Sequence, residues 1–283
     1  MPELPEVETF RRYLVKFVQN KKILDTTVYY PNIIKKPTVK QFIDQIRNQT
    51  IQKIARQGKY LIFFLTKNVL IVHFRMEGRF LLNDKEKQLA SQSKHLLIRF
   101  SLNANFFLDY EDSRRFGTFH LENYVSYKEN KGIKQLGLEP FDEKLTAKYL
   151  SEKWASRKIN AKAALLEQTV IAGIGNIYAC ELLYLCKVSP YEIINNLNIK
   201  KLKELIVNLR KIMKRAIELN GTTVHTFRVG NELGEYWKML KVYRKRGEKC
   251  QYCSNKIEFI KINQRGTFYC PHCQKKSVSV KLS

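Results

Sequence analysis

The chain has 283 residues, 44% of them apolar, enough for one large domain or two ordinary ones and too many for disorder. Lysine and arginine number 51 against 26 acids, a formal charge of +25 that favours a polyphosphate partner, because each neutralised phosphate releases counterions. No run approaches the roughly 18 apolar residues of a membrane helix, and residues 1–10 hold three glutamates and no apolar h-region, so the sequence predicts a cytoplasmic protein with no membrane partner.

Taken in chain order, Val7, Phe10, Leu14 and Phe17 or Val18 recur at helical spacing, which predicts a helix over 6–18. Pro5 suits its first position, and Glu6 and Glu8 then fall in the first turn, where the dipole favours them. From 23 to 120 the texture is that of strands. "KYLIFFLTKNVLIVHFRM" reads as a hairpin turning at Thr66-Lys67-Asn68, and "HLLIRFSLNANFFLDY" as another turning at Leu102–Asn105. Such runs predict a packed sheet sandwich. Residues 125–145 are polar with Gly132, Gly137 and Pro140, and a domain boundary is expected there. Helices follow over 146–156, 159–168, 176–188 (with Asn176 as N-cap) and 198–219, the last ended by Gly221. Its segment "IKKLKELIVNLRKIMKR" carries seven bases and one acid, and "KMLKVYRKRGEKC" (238–250) six and one. Lysine-rich solvated faces account for part of this charge.

Four of the six cysteines stand as Cys250-x2-Cys253 and Cys270-x2-Cys273, the spacing of a closed structural zinc site. A disulfide-linked tail is the competing reading, disfavoured without a secretion signal. His272 lies inside the second knuckle, where it is either a neighbour or a ligand in place of one cysteine; the reading favours a neighbour. Cys180 and Cys186 fit as small buried hydrophobes. "AGIGNIYA" (172–179) lacks the third glycine of a dinucleotide fingerprint; it reads either as an anion site at a helix start or as a plain interhelical turn. "DYEDSRRFG" (109–117) ends a strand with two arginines beside a ring, either a surface cation–π pair or a wedge for a nucleic-acid stack. Arg265 at a hairpin tip reaches a phosphate or is an ordinary exposed arginine.

The motifs "MPELPEVET", "GKY" (58–60), "RRFG" (114–117), "QTVIAGIGNIYA" (168–179) and the four-cysteine finger with "QRGTFYC" occur in this order over nearly the whole chain. Together they resemble the bacterial formamidopyrimidine-DNA glycosylase family. The resemblance implies an α+β fold: an N-terminal β-sandwich with a leading helix (1–130), a helix–two-turn–helix domain with a lesion-capping loop (131–237), and a basic segment with a four-cysteine zinc finger (238–283). It implies one structural zinc on Cys250, Cys253, Cys270 and Cys273, and a monomer acting on damaged double-stranded DNA in the bacterial cytoplasm.

The resemblance also implies that the initiator methionine is removed and that the freed nitrogen of Pro2 attacks the anomeric carbon of a damaged nucleotide. An α-amino nitrogen is less basic than lysine's, so more of it is unprotonated near neutral pH, and a secondary amine collapses directly to an iminium. Glu3 is implied as general acid/base, Glu6 as a second supporting carboxylate, and Lys59 as a phosphate-binding residue that supports β,δ-elimination. Met76, Arg114 and Phe116 match the residues that fill the space left by a flipped nucleotide, with Arg114 reading the orphaned cytosine. His73, Lys162, Asn176 and Arg265 match phosphate contacts. Two departures stand out. Ser113 replaces a proline common in the family, and His225, in the capping loop "TTVHTFRVGNELGEY", replaces a lysine or arginine. The activity implied is a glycosylase/AP lyase for 8-oxoguanine and formamidopyrimidines. Its rivals are an endonuclease VIII-type enzyme for oxidised pyrimidines, a non-catalytic zinc-ribbon DNA-binding protein, and a zinc-dependent hydrolase.

Overall fold

A computed structural model describes residues 2–84, 93–103, 105–222, 228–229 and 232–276. Packing divides the chain into two units: one runs to Lys134 and adds Leu219–Glu235, the other holds Gln135–Glu218 and the residues from Tyr236 onward.

The first unit opens with α1 (Leu4–Val18). Val7, Phe10, Leu14 and Val18 share one face and are fully buried, each adding about 1.5–3 kcal/mol of apolar burial. The helix starts two residues before the sequence pattern suggests. Glu3 is its N-cap, in extended conformation, and the Glu6 carboxylate accepts the Glu3 N–H at 2.9 Å, closing the first turn.

The strands β1 (Ile23–Val28), β2 (Ile34–Lys36), β3 (Ile51–Gln57), β4 (Tyr60–Leu65), β5 (Asn68–His73), β6 (Arg79–Asp84), β7 (Leu96–Leu102), β8 (Phe106–Glu111) and β9 (Thr118–Asn123) follow, with α2 (Val39–Ile46) after β2 and α3 (Lys131–Lys134) at the end. They form a four-stranded sheet, β1-β7-β8-β6, and a five-stranded sheet, β2-β9-β5-β4-β3. Both expected hairpins, β4–β5 and β7–β8, are present. The parallel pairing of β2 with β9 joins segments far apart in sequence and has no local signature. Inward residues of both sheets, among them Phe63, Leu65, Val72, Phe100 and Tyr110, make one core with α1. Its centre is aromatic: the Phe80–Tyr110 and Tyr110–Phe119 ring centroids lie 5.2 and 4.8 Å apart, both near edge-to-face. The short pair β10 (Arg228–Val229) and β11 (Glu232–Leu233) belongs to this unit. His225 lies outside the described residues.

The second unit contains α4 (Ala147–Trp154), α5 (Ala161–Leu166), α6 (Asn176–Leu185), α7 (Ile199–Glu218), and the hairpin β12 (Glu258–Ile262) with β13 (Arg265–Tyr269). The N-cap of α6 is Gly175 rather than Asn176, which is the first helical residue and keeps its side chain for another partner. Cys180 and Cys186 are buried as expected. In α7 the Arg210 guanidinium turns inward and donates to the Pro140, Asp142 and Leu145 carbonyls at 2.9, 3.0 and 3.3 Å, so part of the basic run is structural. Lys200, Lys203, Lys211 and Lys214 stay exposed. Among the described residues no helix is long and apolar enough to cross a membrane.

Glu181 of α6 holds the chain ahead of the finger. Its buried carboxylate accepts the Lys241, Val242 and Tyr243 N–H groups at 2.8, 3.0 and 2.8 Å. Burial pushes its carboxyl up, opposed by those three donors. Glu181→Ala orphans all three, each worth about 1–3 kcal/mol when buried. Denaturant unfolding is expected to show a loss of roughly 3 kcal/mol or more, and a smaller loss for Glu181→Gln.

Candidate active site

Pro2 and Glu3 are buried at the start of α1. Glu6, 2% exposed, uses both carboxylate oxygens. Oε2 accepts the Glu3 N–H; Oε1 accepts the Thr222 N–H at 2.8 Å and the Thr222 hydroxyl at 3.0 Å. Glu6 thus ties the backbone beside Pro2 to the residue that opens the 222–236 segment. Glu8, read from sequence as a helix-start charge, does more. Its carboxylate bonds Arg11 at 2.8 Å, Arg12 at 3.0 Å and Arg56 at 3.3 Å. Burial alone would raise its pKa, but the Arg11 guanidinium and its fellows hold it below the usual carboxylate range. Arg56 also donates to the Gly58 carbonyl at 3.0 Å, so α1 fixes the tight turn that carries the buried Lys59.

Antiparallel register assembles the rest. Tyr60 pairs with His73 across β4–β5, and His73 with Thr118 across β5–β9. Lys59, the loop after His73 and the loop before Thr118 thus meet at one end of one sheet. His73 is 9% exposed and its ring meets the Tyr60 ring edge-on at 4.6 Å. Burial first, then Arg75 and Lys59, lower its pKa to about 3. Its Nδ1 accepts the Arg75 N–H at 3.0 Å, which leaves a neutral ring with its proton on Nε2, a hydrogen-bond donor without charge.

Met76 lies in the first of these loops, and Arg114 and Phe116 in the second. Met76 is 36% exposed and Phe116 52%. The Arg114 guanidinium lies over the Phe116 ring, 4.9 Å from its centroid. Sequence reading missed the residue that shapes this loop. Asp112, 1% exposed, accepts the Arg114 N–H at 3.0 Å on Oδ1 and the Phe116 and Gly117 N–H groups at 2.9 and 2.8 Å on Oδ2. Asp at a strand end before Ser and a closing Gly was a readable side-chain-to-backbone turn signal. The Ser113 hydroxyl donates to Glu77 of the Met76 loop.

In the second unit, Asn176 Nδ2 donates to the Gly266 carbonyl at 2.8 Å, which brings the start of α6 beside Arg265. Arg265 is exposed and follows a two-residue turn, Asn263-Gln264, with both residues at positive φ. Lys162 requires a correction. It is fully buried, and its ammonium donates to the Asn176 carbonyl at 2.9 Å and the Cys180 sulfur at 2.8 Å. It braces the first residue of α6 from behind and is not itself a surface phosphate contact. The Cys250, Cys253, Cys270 and Cys273 sulfurs all lie within 4.8 Å of one another. Cys250–Cys273 and Cys253–Cys270 stand 3.8 and 3.5 Å apart, close to the roughly 3.8 Å edge of a tetrahedron with Zn–S bonds of about 2.3 Å. The four thiols fit one structural zinc. The Asn255 side chain lowers the Cys253 thiol to about 6, favouring the thiolate a metal needs.

Comparison with known proteins agrees with this architecture. Residues 1–119 match the formamidopyrimidine-DNA glycosylase N-terminal domain, 136–228 the H2TH domain of the same proteins, and 247–276 a zinc finger found in FPG and IleRS. A formamidopyrimidine-DNA glycosylase of Ureaplasma parvum serovar 3 is 42% identical over 276 residues, 97% of this chain and all of that protein. Two solved structures of the Lactococcus lactis protein, one with an N7-benzyl-Fapy-dG containing DNA and one with an abasic site containing DNA, each superpose with a TM-score of 0.91 at 37% identity, covering 97% of this chain and all of theirs. A β-sandwich with a leading helix, an H2TH helical unit and a four-cysteine finger define the class: zinc-finger DNA glycosylases of base excision repair. Within that class, the chain belongs to the formamidopyrimidine-DNA glycosylase family.

Two outcomes check this site. His73 has its pKa lowered on folding, so below about 6.5 the unfolded chain binds a proton that the native chain refuses until about 3. Stability contributed by His73 is therefore present above pH 6.5 and lost as pH falls, and His73→Gln is expected to flatten that limb of a stability–pH curve. Chelation is expected to release one zinc per chain and unfold the β12–β13 hairpin. DNA affinity should then fall at least about tenfold while the sandwich keeps its own thermal transition.

Proposed function

We propose that this chain is a bifunctional DNA glycosylase/AP lyase that excises 8-oxoguanine and formamidopyrimidines through the nitrogen of Pro2. The observation that carries the reading is the buried, fixed start of α1, where the Glu6 carboxylate holds the residue next to Pro2. A nucleophile must meet one carbon at near-attack distance, and a frayed terminus fails that test. The helix N-terminus disfavours positive charge on the nitrogen and keeps more of it neutral.

The neutral nitrogen bonds to the anomeric carbon as the base departs with the C1′–N electron pair; loss of the proline N–H proton and opening of the C1′–O4′ bond then give a cationic Schiff base. Glu3 protonates the sugar ring oxygen and later moves protons during elimination. The iminium acidifies neighbouring sugar protons, so the 3′ and then the 5′ phosphate leave. Lys59 and the Nε2–H of His73 hold phosphate oxygens, one by charge and one without it. Met76 and Phe116 occupy the space of the flipped nucleotide, offsetting part of the few kcal/mol of unstacking, and Arg114 hydrogen-bonds the orphaned cytosine. Asn176 and Arg265 grip phosphates, which positions the duplex and specifies nothing. Residues 1–130 do the chemistry, 131–237 grip and cap, and 238–283 add the finger. The protein acts as a monomer in the bacterial cytoplasm.

Borohydride with an 8-oxoguanine duplex is expected to trap a covalent adduct, and untrapped reactions to end in 3′- and 5′-phosphates. Glu3→Gln is expected to slow base release by about 100-fold or more. A chain that binds the duplex and yields neither adduct nor strand break is a DNA-binding module. One that prefers oxidised pyrimidines is of the endonuclease VIII type.

A further inference from the structure

We propose that Ser113 and Glu77 latch the Met76 loop to the Arg114–Phe116 loop, and that this latch sets how strictly the base opposite the lesion is read. The inference rests on the reading that Met76, Arg114 and Phe116 fill the vacated space.

Both latch residues sit next to a tip residue: Glu77 follows Met76, and Ser113 precedes Arg114. The Ser113 hydroxyl donates to Glu77 Oε2. Below the latch the stems of the two loops are joined twice more. Arg79 and Glu111 face each other across β6–β8, with guanidinium-to-carboxylate distances of 2.6 and 3.1 Å. The Tyr110 ring lies between Gly78 and Gly117, and a Cβ on either glycine would collide with its hydroxyl. That hydroxyl has no hydrogen-bond partner among the described residues, so it holds the stems by packing alone.

A recess of about 130 Å³ is lined by both latch residues, Glu77 and Ser113, with Arg79, His95 and Glu111. Asp112 shapes the Arg114–Phe116 loop internally but makes no bond to the Met76 loop. With the stems joined and a recess between the latch residues, the Ser113–Glu77 hydrogen bond ties together the residues next to the two tips. A guanidinium that reads hydrogen-bonding edges of a base loses discrimination once it wanders, because both bonds of the pair need their geometry.

The test compares kcat/KM on 8-oxoguanine opposite cytosine with kcat/KM opposite adenine. Ser113→Ala is expected to reduce the cytosine-over-adenine ratio by roughly three- to tenfold, the range of one net hydrogen bond, with the melting temperature unchanged because Ser113 is exposed. Ser113→Thr, which keeps the hydroxyl, is expected to restore the ratio. Arg114→Ala separates the two levels. If Arg114→Ala collapses the ratio while Ser113→Ala leaves it within twofold of the parent, the latch is overturned and the void-filling reading stands. If Arg114→Ala also leaves the ratio unchanged, the reading fails and the latch with it.

Discussion

The carboxylate of Glu6 joins two segments more than 200 residues apart in sequence. One oxygen takes the N–H of Glu3, and the other takes the N–H and hydroxyl of Thr222. A buried carboxylate left short of donors is expensive, so each of these bonds holds the others in place. The interaction fixes the first turn of α1 and therefore the backbone that carries Pro2. It also anchors Thr222, where the 222–236 segment begins. Lys59 is held from the same helix through Glu8, Arg56 and the Gly58 carbonyl. Lys59 and the backbone beside Pro2 are thus referenced to one rigid element.

The sheet supplies the second organising constraint. The register that sets Tyr60, His73 and Thr118 side by side brings Lys59, a neutral imidazole and the two exposed apolar tips to one sheet end. The burial that makes His73 a poor base makes it a stable donor, whose charge does not change near neutrality. In the second unit the logic is similar with other parts. Lys162 braces Asn176 from behind, Asn176 reaches the Gly266 carbonyl, and the finger hairpin presents Arg265 beside it. Zinc holds that hairpin because its small cluster, Tyr184, Val242, Ile257 and the cysteines, is too small a core to fold unaided.

Much of this was legible in the residues, and the failures have physical causes. Helical spacing, hairpin runs and C-x2-C knuckles are local patterns, and they located α1, β4–β5, β7–β8 and the metal cluster. Pairings such as β2 with β9 depend on segments some 80 residues apart and leave no local trace. Asn176 looked like an N-cap by residue type, but glycine took that position and freed the amide for a distant carbonyl. Lys162 looked like a phosphate contact because its charge is visible in sequence and its burial is not. Asp112, Arg56 and Thr222 passed unnoticed because each acts on backbone groups or through a neighbour. Ser113, noted only as a departure from proline, gains its meaning from Glu77 across the loop.

The central claim is that one nitrogen, that of residue two, forms the bond to deoxyribose. Tandem mass spectrometry of the borohydride-reduced adduct, after proteolysis, locates the sugar remnant directly. The account predicts that it sits on a terminal Pro2 with the preceding methionine gone. A remnant on Lys59 or any other lysine, from protein cleaving at full rate, would contradict it.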